Sequence, residues 1–366
     1  MAVKPEQAVR RLRVHCTNIT GAGADQLVRS LLPALIHQCE VQVCYAPASN
    51  PVLCDLITAC KPTIQLLRFK RRLPNSVSRV VECLFPSQQF KGAGTLLVLG
   101  DLPLRLPGRQ FVFVQQSLLV NQNSQLSMTK AIKFAVVRWL FKHTLKYTQG
   151  LIVQTQVMKS RLHKQFPEYK RPIEIVRQPV PNWLLGKTLK PKLTYVANAH
   201  TRLKAFYPAC AYPHKNHVLL KRLYTTISAC PMDVVLTITP EEWAVPPIQS
   251  VTCMGYLNPD EMIQQYQACD FVLFLSNEES FGFPLLEAMY LGLPIICPNL
   301  PYAHEMCEDS AIYFKPNCVD DLSRKMSELH QLLLSGWRPN YDEPLSKFPR
   351  DWQQVAEQFA RIVTPS

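Results

Sequence analysis

Nowhere in the 366 residues is there an uncharged apolar run of about 18, the length that a helix needs to cross a bilayer. The stretch Met1 to Arg13 carries basic residues, but no apolar segment follows it as a secretory leader requires. A cytoplasmic chain is therefore expected. Cys-x-x-Cys spacing is also absent, although the chain has 13 cysteines. They are odd in number and sit mostly inside apolar runs such as Val14-His15-Cys16, Val41-Gln42-Val43-Cys44 and Ile295-Ile296-Cys297. They read as small buried hydrophobes in a reducing compartment rather than as a disulfide framework. His214 and His217 stand three residues apart with no third ligand nearby in sequence, so no metal site is expected. There is no internal repeat and no low-complexity tract.

What is present is enough apolar material, 47% of residues, for two packed cores in a chain about twice the commonest domain size. The net charge of +13 is unevenly placed: residues 1–190 hold 27 Lys or Arg against 8 Asp or Glu, whereas residues 191–366 hold 13 against 19. The first half should therefore meet something anionic, such as an acidic membrane surface, a phosphorylated acceptor or nucleic acid. Nucleic acid is not expected, because aromatic-rich strand motifs, zinc-knuckle spacing and a disordered basic tail are all missing.

Short apolar runs at Leu12–Cys16, Val41–Tyr45, Thr63–Leu67, Thr95–Leu99, Phe111–Gln115 and Leu151–Gln154 alternate with helix-length segments at Gly23–Gln38, Ser76–Phe85 and Met128–Tyr147. The second half repeats the alternation, with strands from Lys204–Tyr207 to Ala311–Phe314 and helices at Asn216–Ala229, Pro259–Ala268, Pro284–Leu291 and Val319–Leu333. The pattern predicts an α/β chain of two doubly wound, Rossmann-like domains with mainly parallel sheets and a cleft between them. The Pro- and Lys-rich stretch from Pro179 to Lys192 sets the boundary. The domains are then 1–185 and 193–345, followed by a C-terminal helix within 346–366 that returns toward the first domain.

The most specific segment runs from Phe271 to Met289: a buried strand, a polar turn with Glu279 and Gly282, then a helix with Pro284 near its first position. Gly282 permits close backbone approach, and a helix N-terminus offers unpaired amides with partial positive charge, which suits a diphosphate. Were all eight steps from Glu279 to Glu287 helical, they would span about 12 Å, enough to reach hydroxyls at both ends of one ligand. The plainer alternative makes Glu279 a helix cap and Glu287 part of a solvated face. Against it, Glu287 lies in Leu-Leu-Glu-Ala-Met, where an unpaired carboxylate is costly.

Glu279-Ser-Phe-Gly282-Phe-Pro284-Leu-Leu-Glu287-Ala288, followed by Gly292-x-Pro294, resembles the Glu-x7-Glu signature of retaining glycosyltransferases of family 4 (group 1), with Ser280 replacing the commoner Gly. The resemblance implies the GT-B architecture. It also implies that Glu287 binds the donor ribose, that Glu279 orients the donor sugar, and that the backbone of Ser280, Phe281, Gly282 and Phe283 meets the diphosphate and sugar. Tyr212-Pro213-His214-Lys215-Asn216 is similar to the family element whose Lys neutralises the diphosphate, with Asn216 beside it. Relatives often carry an Arg about five residues earlier, where this chain has Cys210.

In the first half, Asn18-Ile-Thr-Gly21-Ala-Gly23-Ala-Asp25 opens a helix but lacks the third Gly and the later acid of a dinucleotide site. In the resembled family this loop, with Gly21 and Gly23, borders the donor phosphate. Where relatives often have His, this chain has Gln115, which can hydrogen-bond a sugar but cannot move a proton. The implied reaction needs neither cofactor nor metal: transfer of a hexose-type sugar from a UDP- or GDP-sugar to a glycolipid or polysaccharide acceptor, at the inner face of the cell membrane. The alternatives are a non-catalytic scaffold and a basic protein that binds nucleic acid or another anionic polymer. Within Met128–Tyr147, Arg138, Lys142 and Lys146 share one i, i+4 ridge among apolar neighbours. That segment is either a packed helix with one basic ridge or a surface helix held by anionic lipid, to which Arg68-Phe-Lys70-Arg71-Arg72 would add.

Overall fold

The computed structural model describes residues 11–19, 22–61, 63–70, 75–121, 128–187, 202–226, 232–244, 246 and 248–364. The chain divides into two units, Met1–Asn182 with Pro349–Ser366, and Trp183–Phe348.

The first unit is wound around a sheet of seven strands: β1 (Arg11–His15), β2 (Glu40–Pro47), β3 (Gln65–Phe69), β4 (Thr95–Val98), β5 (Gln110–Phe113), β6 (Gly150–Val153) and β7 (Ile173–Ile175). Their order is β3-β2-β1-β4-β5-β6-β7, and every pairing is parallel. Every residue of β4, β5 and β6 is buried, which is why these strands read as unbroken apolar runs rather than as alternation. The crossovers contain α1 (Ala22–Gln38), α2 (Pro51–Cys60), α3 (Asn75–Leu84), α4 (Ser117–Val120), α5 (Met128–Thr144) and α6 (Gln156–Gln165). Sequence periodicity passes over α2, α4, α6 and β7. For α2 the signal is local: Asn50 accepts from the Leu53 amide at 3.1 Å and Pro51 occupies the first turn, a start that also reads as a turn. Thr155 caps α6 in the same way, and β7 has only three residues with Glu174 exposed.

The second unit repeats the winding with β8 (Leu203–Tyr207), β9 (Met232–Leu236), β10 (Val251–Cys253), β11 (Phe271–Leu273), β12 (Ile295–Pro298) and β13 (Ile312–Phe314), in the order β10-β9-β8-β11-β12-β13 and again all parallel. Its helices are α7 (His217–Thr226), α8 (Pro240–Trp243), α9 (Pro259–Ala268), α10 (Phe283–Tyr290), α11 (Pro301–Cys307), α12 (Val319–Leu334) and α13 (Asp342–Ser346). Thr239 with Glu242, and Asn258 with Glu261, form reciprocal capping boxes that fix the starts of α8 and α9. The last helix, α14 (Trp352–Val363), belongs to the first unit. It packs on α1, sets Phe359 edge-on to Phe113 at 5.3 Å, and donates from Trp352 Nε1 to Val180 O at 3.1 Å.

In each sheet the chain winds outward from a central strand and then returns to its other side. The switch points are β1 beside β4 and β8 beside β11. Ligands of open parallel sheets bind outside the carboxyl ends at such points.

Candidate active site

The carboxyl ends of β8 and β11 bring the two sequence elements of the second unit together. After β8, Pro213–Lys215 forms one 3-10 turn that ends on Asn216 at φ +56, a left-handed position that Asn tolerates. After β11, Asn277 N and Ser276 Oγ both donate to His214 O, at 2.8 and 3.2 Å, which ties the two loops. Asn317, in the loop after β13, accepts from Asn216 Nδ2 at 3.0 Å and from Asn277 Nδ2 at 3.1 Å. Three loops are thus fixed by neutral hydrogen bonds around one charged pair.

That pair is Lys215 with Glu279, Nζ to Oε1 at 2.5 Å, both side chains largely buried. The Lys215 ammonium also lies 5.7 Å from the centre of the Phe274 ring. Burial first, and then the Glu279 carboxylate, raises the Tyr207 and Tyr302 phenols well above their usual range, so these hydroxyls stay neutral donors. They spend their protons on the loops: Tyr207 on Lys215 O and Tyr302 on Ser276 O. Burial depresses the His217 imidazole to about 4, assisted by Lys221 and Lys215, and Cys210 is a thiol raised by burial. At neutral pH His217 is therefore uncharged, and Cys210, as a thiol, has no positive form, so neither supplies a second positive charge beside Lys215.

Helix α10 opens with Gly282 as its cap at φ +98, and no side chain caps it. A side chain on residue 282 would be strained by that φ whatever the space. The amides of this end carry the partial positive charge that favours an anion. Pro284 has no N–H to lose in the first turn. The step from Glu279 to Glu287 is not a continuous helix, since only the part from Phe283 is helical. Glu287 lies about 6 Å along the axis from Phe283. It is not on a solvated face: it is 3% exposed and accepts from Tyr266 Oη at 2.5 Å. Nor does Glu279 cap the helix, since it holds Lys215. The Phe281 ring is buried between Phe283 and Phe348, so Phe281 offers only its backbone to a ligand. Ser280 and Phe283 are half-buried beside it.

Of the first-unit residues, Gln115 lies beside the other switch point, its side chain bonded to the loop after β4. Gly21 lies outside the described residues, and Gly23 is exposed in the first turn of α1 with open space around it. Gln115 follows β5. Its amide N donates to Asp101 Oδ1 at 2.6 Å, the next amide, of Gln116, to the same oxygen at 2.9 Å, and its side chain to Leu99 O at 3.1 Å. A Cβ on Gly100 would stand 2.8 Å from the Asn18 Cβ, so glycine lets the loops after β1 and β4 meet. Sequence reasoning missed Asp101, Tyr266 and Asn317. Asp101 and Asn317 carry a faint signal as Asx residues in turns, at φ +64 and +60. Tyr266 carries none, because its partner is 21 residues away.

Among solved structures the fold is that of the GT-B glycosyltransferases. The chain superposes on WaaG, a glycosyltransferase involved in lipopolysaccharide biosynthesis, with a TM-score of 0.64 at 13% identity over 97% of this chain and 100% of that one. It also superposes on Anabaena HepE in complex with UDP and glucose, with a TM-score of 0.63 at 13% identity over 98% and 100%. Residues 244–332 match the family model of the glycosyl transferases group 1. The chain is similar to the O-antigen chain mannosyltransferase B of Escherichia coli, 33% identical over 85 residues. The match spans 23% of this chain and 22% of that relative. The matched segment holds Glu279, Gly282 and Glu287 but not Lys215.

Proposed function

We propose that the protein is a retaining glycosyltransferase that moves a hexose-type sugar from a UDP- or GDP-sugar to a glycolipid or polysaccharide acceptor. The observation that carries this reading is the Lys215–Glu279 pair at the β8/β11 switch point, beside the uncapped α10 N-terminus and the buried Glu287. In this reading Lys215 and the α10 amides bind the diphosphate, Glu287 receives ribose hydroxyls, and Glu279 orients both Lys215 and the donor sugar. Loss of the nucleoside diphosphate leaves negative charge on its β-phosphate, which the Lys215 ammonium stabilises. The acceptor oxygen bonds to the anomeric carbon on the face that the diphosphate leaves, and the diphosphate takes the acceptor proton. No side-chain base is needed. The similarity to an O-antigen mannosyltransferase puts GDP-mannose first among donors to try.

No helix among the described residues is long and apolar enough to cross a membrane. With the basic excess of the first half, this supports work at the cytoplasmic membrane face, attached peripherally to anionic lipid. The test is a thermal-shift panel of UDP, GDP, ADP and their sugar conjugates, run on wild type and Glu287→Ala. A ligand at 100 times its Kd adds about 2.7 kcal/mol of stability. One base should stabilise the wild type, and Glu287→Ala should weaken that binding by about 2 kcal/mol, since charge-assisted hydrogen bonds contribute about 1.5 to 3 kcal/mol each. Silence across the whole panel would overturn the donor reading.

A further inference from the structure

Helix α9 has ten residues, and Tyr266 is the one among them that is buried. The start of the helix is set by its capping box: Asn258 Oδ1 accepts from the Asp260 and Glu261 amides, both at 3.0 Å, and Glu261 Oε2 accepts from Asn258 N at 2.7 Å. Two turns further on, the Tyr266 ring stands edge-on to Phe206 of β8 with the ring centres 5.0 Å apart. Its Oη donates to Glu287 Oε2 of α10 at 2.5 Å. Helix α9 packs on β8 and α10 on β11 and β12, so this bond joins the two sides of the switch point that Lys215 and Glu279 also occupy.

Packing alone does not call for the hydroxyl. A phenylalanine would fill the same space against Phe206, and a hydroxyl sunk in an apolar core costs stability unless it is hydrogen-bonded. Burial first, and then the charge of Glu287, hold the phenol well above its usual range, so it stays a neutral O–H that donates to the carboxylate. A tyrosine has two side-chain torsions and this one has its ring held in the core, whereas a glutamate has three and lies where its carboxylate finds donors. The phenol takes one of the roughly four acceptor positions of the carboxylate and thereby sets which way the others are turned.

We propose that Tyr266 is a positioning residue for the nucleotide: by holding Oε2 it aims the Glu287 carboxylate at the ribose hydroxyls. It touches neither the substrate nor a reacting atom and acts only through Glu287, which is thereby organised before the ligand arrives. The inference rests on the donor reading above and adds that Tyr266 and Glu287 tell a ribose from its deoxy forms as one unit.

The test titrates GDP, UDP and their 2′,3′-dideoxy forms into the full chain by calorimetry, as wild type, Tyr266→Phe, Glu287→Ala and the double variant. Wild type should bind the ribonucleotide of its preferred base about tenfold or more tightly than the dideoxy form. Tyr266→Phe should weaken the ribonucleotide about tenfold, as loss of one charge-assisted hydrogen bond implies, and leave the dideoxy form unchanged. On the Glu287→Ala background the same change should do nothing further. With the sugar conjugate as donor, KM should rise by about the same factor while kcat holds, because ribose binding is shared by ground and transition states. Tyr266→p-aminophenylalanine keeps a neutral donor and should recover most of the loss, and it carries the comparison should the Phe variant fail to fold. Equal weakening of ribo- and dideoxynucleotide, a loss that adds to that of Glu287→Ala, or no loss at all makes Tyr266 a packing residue and overturns the proposal. A wild type that binds both forms alike withdraws Glu287 from the ribose and the proposal with it, while the role of Lys215 stands. Silence with every nucleotide overturns the donor reading itself.

Discussion

Both units wind an all-parallel sheet outward and back, yet the loops at their switch points are filled with different chemistry. In the second unit, loops after β8, β11 and β13 are tied by neutral side chains and surround a charged pair, Lys215 and Glu279, next to the α10 N-terminus. In the first, the charge itself is the tie: Asp101 accepts from two successive backbone amides and holds Gln115, the only side chain there to which the sequence assigns a ligand role by its type. The difference teaches that equal topology fixes where ligands meet a sheet but not what the meeting can do. Under the proposed function, charge offered to a diphosphate belongs to the second unit, and shape to the first.

The sharpest way to break that contrast is Lys215→Ala. Neither Cys210 nor His217 is charged to replace the ammonium, so turnover should fall about 100- to 1000-fold, as for loss of one transition-state donor. Binding of the bare nucleoside should hardly change, because the charge matters as the diphosphate leaves. Steady-state kinetics and calorimetry on one preparation separate the two, and unaltered turnover would withdraw Lys215 from the reaction.

The next effect concerns His217, held at about 4 in the folded unit against an ordinary value near 6.5. A folded pKa below the unfolded one means that the unfolded chain binds the extra proton, so stability is full above about 6.5 and falls as pH drops toward 4. The loss should reach about 3 kcal/mol at most. Amide exchange in β8 and α7, corrected for intrinsic rates, should show protection declining across that window in wild type and a flatter profile in His217→Gln. Equal slopes would mean that the imidazole titrates freely.

How much of this was legible in the sequence follows from how local each determinant is. The alternation of strand and helix, the GT-B expectation and the segment around Glu279 and Glu287 are written in contiguous residues, and the fold agrees with them. Helix α2 was missed because Asn50-Pro51 spells both a turn and a helix start. The burial of Glu287 could be argued from its apolar neighbours, but Tyr266 as its partner could not, since the pair is made only when α9 and α10 pack on one sheet. The basic ridge of α5 was legible as a pattern. Its partial pairing with Glu168 and Leu118 O needed the tertiary structure, and so did the outward turn of Ile132 and Trp139.

The smallest effects lie in the first unit and sharpen the comparison most finely. Burial raises the Asp101 carboxyl above its ordinary value, although hydrogen bonds from the Gln115 and Gln116 amides and the charge of Arg79 pull it down. A raised carboxylate is a net cost once ionised, so its contribution is lost as pH rises through the folded value. Asp101→Asn, which keeps the acceptor and tolerates φ +64, should therefore stay within about 1 kcal/mol of wild-type stability. Asp101→Ala strands two amides in a left-handed turn and should cost about 2 kcal/mol. With Gln115 proposed to hydrogen-bond the sugar, Gln115→Ala should lower turnover about 3- to 10-fold, equivalent to about 0.5 to 1.5 kcal/mol. In all three variants affinity for the nucleoside diphosphate should match wild type, because the proposed function assigns its phosphates and ribose to Lys215, Glu287 and the α10 amides. Calorimetric titration decides: a loss of nucleotide affinity in Asp101→Ala as large as that in Glu287→Ala would give the first unit a share of the nucleotide and erase the division of labour.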